Sequence, residues 1–199
     1  CSFDGMSLLR KMELPDAFWR SAGHRHSESE INGARFFSPI LFIFAFVPVF
    51  WTLFDQTSST WVLQGQQMVP AKILGLTIGA EQMQSANPLV MMLLVPLFTL
   101  LIYPRIGRLA SPLRRMSCGM FLAAASYLAV AALQRRLEAG AQLSVLWQAV
   151  PYLILTAGEV LFSPTGLEFA FREATPELKS TIMSFWLLTV AFGNLLVAG

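Results

Sequence analysis

Residues Leu153 to Phe162 read LILTAGEVLF, an apolar run interrupted by a single carboxylate, Glu159. Read outward, the run extends from about Leu146 to Glu168, which meets the ~20 residues a helix needs to cross a bilayer. An ionisable group in such a segment costs a few kcal/mol to insert and persists where it faces a cavity, a polar partner or a transport path. Glu159 is therefore the first candidate for a functional site, and the segment around it reads as a transmembrane helix.

The rest of the chain agrees. Hydrophobic residues make up 55% of the 199 and charged residues 13%, too apolar for a domain with a fully solvated surface. Four more long apolar segments lie at about Phe36 to Val62, Asn87 to Tyr103, Met116 to Leu133 and Thr181 to Ala198. They are too long and continuous for the alternating strands of a barrel, and helices satisfy their own backbone in lipid. The expected fold class is all-α: a polytopic transmembrane helix bundle with five spans. Residues 1–35, polar and carrying both signs of charge, read as a cytosolic linker. Residues 36–199 read as one membrane domain. A chain that opens on Cys1 and stops at Gly199 inside an apolar pattern reads as a fragment.

Basic residues set the expected orientation. Arg10, Lys11, Arg20, Arg25 and Arg35 precede the first span; Arg105, Arg108, Arg114 and Arg115 join the second to the third; Arg172 and Lys179 join the fourth to the fifth. Lys72, Arg135 and Arg136 fall on the other side. The bias of eleven to three places the amino terminus in the cytoplasm by the positive-inside rule. The expected location is a plasma or bacterial inner membrane, crossed several times.

Several polar groups sit within these spans. Trp51, Phe54, Asp55 and Ser58 are spaced i, i+3, i+4 and i+7, which gathers an aromatic floor and a carboxylate on one helical face. Such a face suits a cationic or amphipathic ligand; alternatively the helix leaves the membrane at Asp55, where Gln56 to Thr60 turn polar. Ser163 follows Glu159 by one turn and can share a ligand or water with it, while Pro164 frees nearby carbonyls. Asn87 opens the second span as Asn-Pro, where capping of the first turn accounts for it. Pro39, Pro48, Pro88, Pro96, Pro104, Pro151 and Pro164 lie in or at the ends of spans and can bend or end them.

Other chemistries find little footing. Fourteen basic against twelve acidic residues, with no basic run interleaved with aromatics, leave no footprint for nucleic acid. The alternation His24, His26, Glu28, Glu30 lacks an ordered metal geometry and reads as a solvated linker. Cys1 and Cys118 are too few for a disulfide scaffold, and Cys118 reads as a small buried thiol. Glu168 and Arg172 read as a surface pair at i, i+4. There is no H-E-x-x-H, no G-x-S-x-G and no phosphate-binding loop, so an enzyme is not expected.

The runs FWTLFDQTSSTWVLQGQQM (Phe50 to Met68), SANPLVMMLLVPLFTLLIYP (Ser85 to Pro104) and GEVLFSPTGLEFAFREATPELKSTIMSFWLLTVAFGNLL (Gly158 to Leu196) together resemble the proton-dependent oligopeptide transporter family of the major facilitator superfamily. They stand in the order of that family's seventh to eleventh helices. The resemblance implies a proton-coupled symporter of di- and tripeptides working by alternating access between two six-helix halves. No cofactor is implied; protons are the coupling ion. Glu159 matches the tenth-helix carboxylate and Asn87 the eighth-helix asparagine that hold the peptide amino terminus. Ser163 matches a pocket position, and Trp51 and Trp186 match tryptophans that shape side-chain pockets. Glu159 and Asp55 are implied as proton-coupling or gating groups. Many prokaryotic members have a Glu pair where this chain has Phe54 and Asp55, and its Phe-Asp-Gln form resembles animal members. The amino-terminal six-helix half, an expected partner along with peptides and the lipid bilayer, and the twelfth helix are expected outside this fragment. Other readings are a same-fold transporter of another small solute such as nitrate or an amino acid, and a noncatalytic membrane scaffold.

Overall fold

The computed structural model describes residues 16–22, 31, 35, 43–105, 111–173 and 179–198. In chain order these form α1 (Asp16–Ala22), α2 (Val47–Asp55), a 3-10 turn (Gln56–Ser58), α3 (Thr60–Gln66), strands β1 (Ala71–Ile73) and β2 (Leu76–Ile78), α4 (Ala80–Met83), α5 (Ala86–Leu97), α6 (Pro112–Glu138), a second 3-10 turn (Val145–Gln148), α7 (Ala149–Glu173) and α8 (Lys179–Ala198). Among the described residues four helical stretches are long and apolar enough to cross a membrane: Ala80–Ile102, Pro112–Glu138, Val145–Phe169 and Lys179–Ala198. They correspond to the second to fifth expected spans.

The first expected span is corrected. Residues 36–42 lie outside the described part, and the remainder is α2 and α3 joined by the 3-10 turn, with Ser59 at φ −123°, ψ −88°. The α-helix α2 ends at Asp55, but the 3-10 turn and α3 carry helical turns on to Gln66. Its break is satisfied from neighbouring helices: the Tyr127 hydroxyl donates to the Leu53 carbonyl at 2.5 Å and the Tyr152 hydroxyl to the Thr57 carbonyl at 3.4 Å. Broken backbone is tolerated at membrane depth when it is buried in protein in this way. Gln148 reinforces the junction, donating to the Trp61 carbonyl at 2.7 Å.

The central pair is α6 and α7. A Cβ on Gly119 would lie 2.6 Å from the Gly158 carbonyl oxygen, and one on Gly158 would lie 2.8 Å from that of Gly119. Only hydrogen at both positions lets the backbones approach this closely, the use of small residues typical of membrane helices. On the same face of α7, one turn beyond Gly158, Phe162 stacks on Phe50 of α2 with centroids 4.2 Å apart, and α5 also packs against α7. Thus α7, the helix of Glu159, is enclosed on several sides, whereas α5 shows a mostly exposed surface.

Pro96 lies inside α5, and from Phe98 to Ile102 the helix widens to π geometry. The widening gives Tyr103 N–H the Phe98 carbonyl at 2.8 Å; proline, which lacks the donor that closes a regular turn, is a recognised cause of such irregularity. Pro164 lies within α7, which continues through it to Glu173. The β1–β2 hairpin turns on Leu74 and Gly75 at φ +51° and +82°, the two positive values a tight two-residue turn demands. Cys118 is exposed on α6, not buried: its neighbour Gly119 takes the face against α7, and consecutive residues point ~100° apart. Cys1, Pro39, the His24 to Glu30 alternation and the Arg172 side chain lie outside the described residues.

Candidate functional site

Glu159 is 9% exposed and lies in the middle of α7. Its Oε2 accepts from Asn87 Nδ2 at 3.2 Å. The other end of the Asn87 amide is also engaged, because the Thr156 hydroxyl stands 2.5 Å from Oδ1 and 2.7 Å from the Tyr152 carbonyl. Thr156, Asn87 and Glu159 therefore form one hydrogen-bonded line across the α5–α7 interface. A carboxylate in a membrane helix survives by such polar contact.

The capping reading of Asn87 is overturned. Ser85 is the N-cap residue of α5 and makes no side-chain cap; Asn87 stands inside the first turn, and its side chain reaches across to α7. Thr156 was missed. Its sequence signal is its place three residues before Glu159, which puts both on one helical face.

Ser163 lies half-buried one turn beyond Glu159. The other candidates occupy the α2–α8 contact. Trp51 meets Phe50 and Phe54 edge-on at 5.7 and 5.4 Å, and Gly193 of α8 comes so near that a Cβ there would lie 2.6 Å from the Cβ of Trp51. Thr52 spans the same contact, its hydroxyl 3.3 Å from the Gly193 carbonyl. Asp55, half-buried one turn on, accepts from the amide of Asn194 on α8 when that amide turns its nitrogen toward α2; the same nitrogen donates to the Val190 carbonyl at 3.0 Å. Asn194 was also missed, although a lone amide among the apolar residues of α8 is a visible signal. Trp186 is buried between helices: its ring meets Phe44 at 5.5 Å, and it fills the space that Gly166 leaves on α7.

The structure thus gathers Glu159, Asn87 and Thr156 in one hydrogen-bonded group with Ser163 one turn away, and Trp51 and Asp55 in another along α2. No hydrogen bond or ring contact joins the groups among the described residues. The indole N–H of Trp51 is buried with no acceptor among the described residues.

The sequence profile of the POT family matches residues 12–198. The chain belongs to the POT family. It is 33% identical over 142 residues to peptide transporter family 1 of Drosophila melanogaster, an alignment covering 70% of this chain and 19% of that protein. An auto-inhibited POT family peptide transporter superposes with a TM-score of 0.81 at 42% identity, covering 90% of this chain and 35% of that one. A POT family transporter in complex with a thioalcohol-conjugated peptide superposes with a TM-score of 0.67 at 27% identity, covering 89% and 37%. The chain therefore spans about a fifth of the fly relative and about a third of the solved transporters. These POT family relatives are transporters, not enzymes, and this chain shares the mostly helical membrane fold of the solved ones.

Proposed function

We propose that this chain forms the carboxyl-terminal membrane part of a proton-coupled symporter of di- and tripeptides, in which Glu159 and Asn87 receive the ammonium end of the peptide. The observation that carries the reading is the buried carboxylate of Glu159, met by one neutral amide and by no cation among the described residues. A carboxylate so held can take a charge-assisted hydrogen bond from an ammonium group, or a proton when no ligand is there. The POT family membership and the peptide conjugate bound by a relative support the substrate class.

Asp55 serves in this reading as a second proton-coupling or gating group, held to α8 by Asn194. Trp51 and Trp186 shape the pockets for side chains. Ser163 lines the same space. The remaining half of the binding site comes from an amino-terminal six-helix half, and transport proceeds by rocking of the halves about the midplane. The basic residues at the Arg105 and Lys179 end face the cytoplasm of a cell membrane.

Uptake of a labelled dipeptide by the full-length transporter in liposomes tests this. An imposed inward proton gradient drives accumulation, and a protonophore abolishes it. Uptake that ignores the gradient removes the coupling, and absence of peptide uptake beside uptake of another solute removes the substrate class.

A further inference from the structure

At the end of the bundle opposite Arg114 and Arg115, α6 and α7 enclose a groove of about 220 Å³ lined by Ala129, Ala132, Leu133 and Arg136 of α6 and by Trp147, Val150 and Pro151 beside them. The four α6 residues are spaced i, i+3, i+4 and i+7, so they form one stripe along the helix. The groove has a local cause. Where Gly119 and Gly158 meet, the helices touch backbone to backbone; a few turns on, Ala129 and Ala132 supply too little side chain to fill the space in front of Pro151.

The stripe has a polarity. It is apolar for a turn, from Ala129 to Leu133, and ends about 10 Å along the axis in the guanidinium of Arg136. Trp147 stands at the same mouth, 52% exposed, and Val150 below it is 46% exposed. Among the described residues no carboxylate pairs with Arg136. A cation at the end of a membrane helix places its charge at headgroup level, and an exposed indole beside it sits where aromatic residues favour the interface.

We propose that this groove is a binding site for one phospholipid with an anionic headgroup. An acyl chain lies along Ala129, Ala132 and Leu133, the phosphate meets Arg136, and the Trp147 ring covers the glycerol region. Charge complementarity selects the occupant: the groove joins an apolar stripe to an exposed cation, and an anionic phospholipid matches both parts, whereas a purely apolar molecule matches only the stripe and a soluble anion only Arg136.

Native mass spectrometry of the full-length transporter tests the site, with phosphatidylglycerol and phosphatidylcholine of identical acyl chains as probes. The wild-type protein retains one phosphatidylglycerol in preference to phosphatidylcholine. Arg136→Gln weakens phosphatidylglycerol retention roughly fivefold, the effect of one basic residue on an anionic lipid, and leaves phosphatidylcholine unchanged. Arg135→Gln removes the same charge from the neighbouring position outside the groove and has little effect. Ala132→Trp fills the groove and lowers retention of both lipids. Equal losses for Arg135→Gln and Arg136→Gln mean diffuse surface attraction and overturn the site, as does unchanged retention in Arg136→Gln. That exposed substitution removes no packed group, so its result stands whether or not Ala132→Trp folds.

Discussion

Asn87 Nδ2 donates to Glu159 Oε2 at 3.2 Å, tying the first turn of α5 to the middle of α7. The contact joins residues 72 positions apart and gives a membrane carboxylate a partner without neutralising its charge. A neutral partner leaves the carboxylate able to attract a cation, whereas an arginine in its place would have to be displaced first.

Glu159→Gln in the full-length transporter keeps the fold, because glutamine has the same shape and still accepts from Asn87. Peptides with a free amino terminus bind roughly tenfold more weakly, since a charge-assisted hydrogen bond becomes a neutral one, and N-acetylated peptides lose less. Binding titrations with both ligand types check this. Equal losses contradict the role of Glu159 as the partner of the ammonium group.

Thr156→Val removes the hydroxyl that fixes the carbonyl end of Asn87, leaving Oδ1 without its donor at a cost of ~1–3 kcal/mol. The freed amide no longer holds its nitrogen toward Glu159, and peptide affinity falls. Thr156→Ser restores the hydroxyl and with it the affinity. A serine variant as impaired as the valine one shows that the methyl group matters and the hydrogen bond does not.

Asp55→Asn separates coupling from movement. Counterflow exchange requires alternating access but no net proton transfer, so the variant loses gradient-driven uptake while retaining exchange. Loss of both activities together assigns Asp55 to binding, gating or folding through its contact with Asn194. Wild-type behaviour in both leaves it without a transport role.

Gly119→Val tests the α6–α7 crossing. The new side chain meets the Gly158 backbone at 2.6 Å and the Phe162 Cβ at 2.9 Å, and backbone cannot move aside as a flexible side chain can. Overpacking of this kind costs ~1–3 kcal/mol. A clearly lower thermal midpoint in detergent than that of the wild type is expected; an unchanged midpoint shows that the helices separate at no cost.

The apolar runs alone determined that this is a helical membrane protein, since a continuous stretch of about twenty apolar residues has few other stable forms in water or lipid. They located four of the spans to within a few residues at most boundaries and singled out Glu159 by its charge. They also drew the first span as one unbroken run to Val62, whereas its described part breaks at Ser59, near carbonyls of Leu53 and Thr57 that accept from Tyr127 and Tyr152, two residues far away in sequence. Cys118 illustrates the same boundary: hydropathy says that a residue is in the membrane, and only packing says whether it faces protein or lipid.

The sequence therefore determined which groups cannot rest in lipid without a partner, and the tertiary structure decided who the partners are. Asn87 is an ordinary helix-start residue until α5 lies against α7, and Thr156 is an ordinary membrane threonine until its hydroxyl meets the Asn87 amide. Likewise Asn194 acquires meaning only when α8 lies against α2 and brings it to Asp55. Periodicity reports the face of one helix. The pairing of faces rests on close contacts such as Gly119 with Gly158 and Gly193 with Trp51, which depend on side-chain volume at single positions and leave no trace in hydropathy.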